Sequence, residues 1–230
     1  MKIHGLQKMT LLDFPGKVAC TVFLGGCDFR CPFCHNFELV DGSAPPVMDS
    51  EELLSFLKKR QGLLDGVAIT GGEPCLHRDL PELLKEIRAL GFEVKLDTNG
   101  YHPEMLKKLM DEKLIDYAAM DIKNAPDKYA MTCGLQEMDL APVYRSIELL
   151  KNSGIPFEFR TTVVDELHET EDFKAIGEMI RGTENYYLQC FTDRDSVPFG
   201  NLHAPSAEKM KACCEIVSAY VMHAEIRGMD

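Results

Sequence analysis

Val18-Ala19-Cys20-Thr21-Val22-Phe23-Leu24-Gly25-Gly26-Cys27-Asp28-Phe29-Arg30-Cys31-Pro32-Phe33-Cys34-His35-Asn36 is the stretch from which the rest of the chain can be read. Residues 18–24 are apolar and β-branched, the composition of a buried strand. The glycine pair releases the chain into a loop that carries three thiols at spacings of four and three. Three cysteines so placed can hold three corners of a cubane iron–sulfur cluster. The fourth iron is then left without a protein ligand, free to bind and reduce something else. Cluster cysteines usually come in fours, so the missing fourth is the functional clue. A zinc site of Cys27, Cys31, Cys34 and His35 is the structural alternative, since three Cys and one His is a zinc set. Adjacent Cys34 and His35 would reach one ion awkwardly, and no second cysteine pair stands at zinc-ribbon spacing. Cluster, zinc and free thiols all remain open on spacing alone.

The chain has 230 residues, enough to bury a core as one ordinary or slightly large domain. A hydrophobic content of 45% with 27% charged residues reads as soluble and globular. The formal net charge of −12 disfavours nucleic acid or anionic membrane as main partner, because both reward clustered Lys and Arg. The opening Met1-Lys2-Ile3-His4-Gly5 has no apolar signal core, and no run approaches the roughly 18 apolar residues of a membrane span. A cytoplasmic location is the expectation. Nine cysteines in that setting predict reduced thiols, with metal or redox use for the clustered ones.

Outward from the first strand, strand patterns recur at 66–70, 92–97, 114–121, 156–164 and 186–191. Helical patterns begin at Ser50 and cover 80–90, 103–111, 141–152, 172–181 and 206–223. Asp79 and Glu82, three apart, predict a capping box opening the helix 80–90. Six strands alternating with helices predict parallel pairing through right-handed crossovers. Such a sheet is either open and doubly wound or an incomplete barrel, and no linker-like break divides residues 1–230. Polar or metal-binding groups follow the first four strands at their C-terminal ends, the edge where parallel α/β folds place ligands.

Each motif has a bland reading beside the functional one. Gly71-Gly72-Glu73-Pro74 lets backbone approach a ligand, or simply makes a tight turn. Asp97-Thr98-Asn99-Gly100 lies at a strand end, where Asn-Gly is a good turn in its own right. Asp121 and Lys123 point to one side by strand alternation, as a site pair or a plain salt bridge. Arg160, inside an otherwise apolar strand, must find a carboxylate of the core or of a ligand. Cys20, Cys75, Cys213 and Cys214 read as small buried hydrophobes, whereas Cys133 and Cys190 could face the cleft.

With these residues in view, Cys27-x3-Cys31-x2-Cys34 resembles the signature of radical S-adenosylmethionine enzymes, and Gly71-Gly72-Glu73-Pro74 resembles that family's motif for the methionine amino group. Leu11-Leu12-Asp13-Phe14-Pro15-Gly16-Lys17 and Cys34-His35-Asn36 are similar to the activating enzymes of glycyl-radical proteins. Within these the likeness runs nearest to activators of anaerobic ribonucleoside-triphosphate reductase. The resemblance implies an α/β fold, a partial (β/α)6 barrel of parallel strands. It implies one [4Fe–4S] cluster on Cys27, Cys31 and Cys34, S-adenosylmethionine on the open iron, and a low-potential electron donor such as flavodoxin or ferredoxin. The chemistry implied is reductive cleavage to a 5′-deoxyadenosyl radical, which takes a hydrogen from a glycine of the partner enzyme. Cofactor contacts are implied for Phe33, His35, Gly72, Glu73, Asp97, Thr98, Asp121, Lys123, Arg160 and Gln189. In pyruvate formate-lyase activase the positions matching Asp97, Thr98 and Asp121 surround a monovalent cation. Gln189 departs from the pattern, since that relative has a histidine there. A radical enzyme acting on a small molecule or peptide, such as a deazaguanine carboxylate synthase, and a non-enzymatic zinc module are the competing readings.

Overall fold

The computed structural model describes residues 1–194 and 196–229. The first strand of the sequence reading is β3 (Ala19–Leu24). It is preceded by β1 (Lys2–Ile3) and β2 (Gly5–Thr10) and followed by the short helix α1 (Phe37–Asp41), then β4 (Met48–Asp49) and α2 (Ser50–Lys58). β5 (Gly66–Gly71), α3 (Leu80–Ala89), β6 (Glu93–Thr98), α4 (Pro103–Asp111) and β7 (Tyr117–Asp121) continue the alternation. The rest is α5 (Tyr129–Thr132), α6 (Ala141–Lys151), β8 (Phe157–Val163), α7 (Asp172–Met179), β9 (Asn185–Cys190), α8 (Ala207–Val217) and β10 (His223–Arg227).

One sheet orders these strands as β10-β9-β8-β7-β6-β5-β3-β2, all parallel except for the antiparallel pairing of β2 with β3. The fold is therefore the expected α/β class with a mostly parallel sheet. This sheet carries two more strands than the six expected, one at each edge, and β1 pairs with β4 in a separate two-stranded antiparallel sheet. In β2, Gln7, Lys8 and Met9 are exposed, so its sequence carries no buried-strand signal. β10 lies within and beyond the end of the helix expected at 206–223. That helix ends at Val217, and Met222 N–H and His223 N–H donate to Thr183 O and Glu184 O (both 2.9 Å), drawing the chain onto the edge of β9.

A capping box does open a helix, but on α2 rather than α3. Asp49 accepts from Glu52 N–H and Glu52 from Asp49 N–H, both at 3.0 Å. Asp49 has the extended backbone an N-cap needs (ψ 178°), whereas Asp79 at ψ 6° does not and makes no cap bond.

The sheet curls. β3 and β9 are five strand positions apart, roughly 24 Å in a flat sheet at ordinary spacing. Yet His35, on the loop after β3, stacks on Phe191 just past β9 with ring centroids 5.5 Å apart, and its Nε2 lies 2.7 Å from Thr192 O. The convex side packs residues such as Val94, Leu96, Met120 and Phe159 into the apolar core beneath the helices. The concave side is polar, carrying Lys95, Asp97, Asp121, Glu158 and Arg160 in an ion-paired band. Burying such charges is tolerable only when they are paired. Among the described residues no helix is long and apolar enough to cross a membrane.

Candidate active site

At the C-terminal edge of the curled sheet lies a cavity of about 520 Å³, within the size range of small-molecule and cofactor sites. Its walls include Cys27, Cys31 and Cys34 from one side and Asp97, Thr98, Asp121, Lys123, Arg160 and Gln189 from successive strand ends. Phe33, His35 and Gly72 line it too. Thus twelve of the thirteen residues singled out from the sequence meet in one place. No cysteine besides those three is among the cavity-lining residues, which leaves the donor set one short of closing a cubane. Among the described residues no three His, Cys, Asp or Glu side chains are gathered tightly enough to hold a single metal ion. A zinc site needs four donors about 2.0–2.3 Å from one centre, and His35, the fourth donor of that reading, has its Nε2 2.7 Å from Thr192 O.

Cys27 Sγ accepts from Phe29 N–H at 3.4 Å and from Asn99 Nδ2 at 3.8 Å. Burial pushes Cys27 up to about 12 and raises Cys34. Cys31 is lowered instead, chiefly by the Cys133 hydrogen bond, with the Lys123 charge assisting against desolvation. Lys123 is held in its charged form because Asp121, 2.9 Å away, and Cys31 offset its burial.

Glu73 is the exception among the expected contacts. It is fully buried and absent from the cavity wall. Its Oε1 accepts from Cys75 N–H (2.9 Å) and Thr98 Oγ1 (2.8 Å), and its Oε2 accepts from Asn99 N–H (2.6 Å). The side chain thus clamps the turn after β5 to the end of β6. Burial raises its pKa, against which the three donors act. Glu73→Gln turns one acceptor oxygen into a donor facing a donor, and is expected to cost about 1–3 kcal/mol. The check is a lower urea midpoint at unchanged slope in anaerobic, cluster-loaded protein; a wild-type midpoint would show that the clamp contributes nothing.

The glycines of this turn are demanded by protein backbone. A Cβ on Gly72 would overlap Gly26 O, and the Gly72 N–H is spent on Leu24 O at 2.8 Å. Only its carbonyl can serve a ligand.

Arg160 finds core carboxylates. Its guanidinium lies 2.9 Å from Asp121, 3.5 Å from Asp97 and 4.0 Å from Glu158. Register explains this, since Arg160 stands directly beside Asp121 across β7 and β8. Asp97 also pairs with Lys95, and Asp121 with Lys123. The carboxylates expected around a cation already face protein cations, so nothing in their arrangement calls for another.

Asp13, Asn36, Asn99 and Arg194 also line the cavity and were not singled out from the sequence. Asn99 stood in a turn already marked, and Asp13 in the stretch 11–17. Arg194 lies on the loop after β9 and carried no signal.

The radical SAM superfamily model matches residues 21–180. A Methanocaldococcus jannaschii protein with the provisional name of glycyl-radical enzyme activating enzyme is 31% identical, over 99% of this chain and 96% of its own length. The pyruvate formate-lyase-activating enzyme of Clostridium pasteurianum is 28% identical over 80% of this chain and 78% of its own. The 7-carboxy-7-deazaguanine synthase of Thermococcus kodakarensis is 26% identical over 76% and 74%. Among solved structures, Streptococcus suis SuiB bound to S-adenosylmethionine superposes with a TM-score of 0.67 at 14% identity, covering 90% of this chain and 52% of that one. The curled, mostly parallel sheet with three thiols at its C-terminal edge is that of a radical enzyme built on an iron–sulfur cluster. The chain belongs to the radical SAM superfamily, whose cofactors are a [4Fe–4S] cluster and S-adenosylmethionine, and it is homologous to enzymes that activate glycyl-radical proteins.

Proposed function

We propose that this protein installs the glycyl radical on an anaerobic ribonucleoside-triphosphate reductase. The observation carrying the activase part is the end-to-end match to a relative of that description, 99% of one chain against 96% of the other. The stretch 11–17 running into Cys34-His35-Asn36 supports the choice of reductase. The interval from Cys34 to Ser50 holds no further cysteine, which supports a single cluster.

In this reading Cys27, Cys31 and Cys34 hold the cluster and leave one iron for the methionyl end of S-adenosylmethionine. The bound pair supplies one-electron reductive cleavage of a sulfonium, chemistry that belongs to the cofactors. The chain's own residues bind and orient. The Gly72 carbonyl would accept from the amino group, Lys123 would place positive charge beside Cys31, and Phe33 and His35 would flank the adenosyl portion. Gln189 and Thr98 complete the wall, and the polar concave face receives the peptide backbone around the substrate glycine. A cytoplasmic location and a flavodoxin or ferredoxin as electron source complete the proposal.

The test is anaerobic incubation of cluster-loaded protein with S-adenosylmethionine, reductant and the purified reductase, followed by electron paramagnetic resonance. The expected result is a glycine-centred doublet that appears in step with 5′-deoxyadenosine. Turnover of a purine-like small substrate with no doublet would favour the synthase reading, which the Thermococcus relative supports.

A further inference from the structure

β6 ends at Thr98, and the turn that follows lies against the cysteine loop. Tyr101 packs on Phe29 with ring centroids 5.4 Å apart, and His102 Nε2 lies 2.6 Å from Asp28 Oδ2. At the head of this turn stands Asn99, which lines the cavity although only 6% exposed. Its N–H donates to Glu73 Oε2 at 2.6 Å, and its Oδ1 accepts from Tyr101 N–H at 2.9 Å. The second bond orients the amide. A backbone N–H can only donate, so the oxygen faces Tyr101 and the NH2 group faces away. That group lies 3.8 Å from Cys27 Sγ, and Asn99 Nδ2 has no other hydrogen-bond partner among the described residues.

The contact joins residues 72 apart in the chain, and both halves of Asn99 are fixed before the sulfur is reached. Buried Glu73, absent from the cavity wall, holds the backbone of a residue that is on it. Among the described residues no other side-chain amide reaches Cys27, Cys31 or Cys34. The Asn99 amide does not ionise, so its donor is present at every working pH. Iron-bound sulfur is a thiolate, an acceptor that suits such a donor.

We propose that the Asn99 side chain donates an N–H···S hydrogen bond to the Cys27 sulfur and thereby raises the reduction potential of the cluster. Reduction adds negative charge shared over the cluster sulfurs and their ligands, and a donor aimed at one ligand stabilises the reduced state more than the oxidised one. Asn99 is a positioning residue in this role: it touches a ligand, not the reacting atoms. The inference rests on the cluster alone and is independent of which partner is activated.

The experiment is a potentiometric titration of anaerobically reconstituted protein followed by electron paramagnetic resonance, with iron and sulfide counted on the same samples. Asn99→Ser keeps a side-chain oxygen that can accept from Tyr101 N–H but is too short to donate to Cys27. It is expected to keep the full iron complement and shift the midpoint to more negative potential. At the wild-type midpoint the reduced-to-oxidised ratio should fall at least threefold, equivalent to about 30 mV for a one-electron couple. Tyr101→Leu is the structural control: it removes the ring on Phe29, keeps the Tyr101 backbone N–H, and should leave the midpoint in place. Should the serine variant unfold by circular dichroism, Asn99→Thr offers the same acceptor with an added methyl and carries the same expectation. A fully loaded serine or threonine variant with an unchanged midpoint would overturn the proposal. An equal shift in Tyr101→Leu would overturn it by assigning the effect to the turn. Loss of iron from a folded Asn99 variant would overturn it too, by placing Asn99 in cluster assembly.

Discussion

Cys31→Ala is expected to come through anaerobic reconstitution without a cubane cluster and to release no 5′-deoxyadenosine from S-adenosylmethionine under a strong reductant. Two thiols cannot hold three corners, and no other cysteine is among the residues lining the cavity. The effect is therefore all-or-none rather than graded. Cys213→Ala is the control. Cys213 is also buried but sits in α8, and its loss should cost only packing, about 1 kcal/mol, with iron content and cleavage intact. Iron analysis, the visible charge-transfer band and product chromatography on both variants decide it. Equal loss of activity from both, with both folded, would sink the ligand assignment.

What the sequence made legible was local. The cysteine loop, the strand before it and the parallel order of the sheet all follow from residues within a few positions of one another. So does the convergence of strand-end motifs on one edge, because parallel topology itself brings those ends together. What it hid was contact across distance. His35 reads as a flank of the third cysteine, yet it closes the curl by reaching Thr192, 157 residues away. Glu73 reads as a cofactor residue because it sits in the motif, but strand pairing carries three donors to its carboxylate. Residues 224–227 lie past the helix expected at 206–223 and were assigned no element, since Glu225 and Arg227 give no buried pattern, and the free edge of β9 makes them a strand. Cys133 had two readings open to it; the Gly134 turn that seats it against the cysteine loop could not be seen from spacing.

Arg160→Leu is expected to lower stability by about 3–5 kcal/mol near neutral pH, the usual cost of removing one partner from a buried ion pair. Among the described residues Arg160 is the single group that joins Asp97, Asp121 and Glu158 across three adjacent strands. Leucine fills much of the space but leaves those carboxylates with less opposing charge on the concave face. The pH dependence separates this from a packing defect. Burial alone would push Asp121 up, but Lys123 and Arg160 outweigh it and hold its carboxyl well below the ordinary range. In the native protein that contribution is complete above the unfolded value of about 3.9 and is lost only as pH falls below it. Without Arg160 the folded value moves upward, so the variant's native state takes up a proton at a higher pH than the native protein does. The stability gap should therefore hold from about pH 7.5 down to about pH 5 and narrow as pH falls below about 4, where the native protein gives up an Asp121 contribution that the variant has already partly lost. Arg160→Lys should fall between the two, because one ammonium cannot span Asp97 and Asp121 as a guanidinium does. Urea unfolding of all three proteins at about pH 7.5, pH 5 and pH 3 checks this. A gap that stayed constant with pH would assign the loss to packing and remove the ion-paired band from the account of what holds the concave face together.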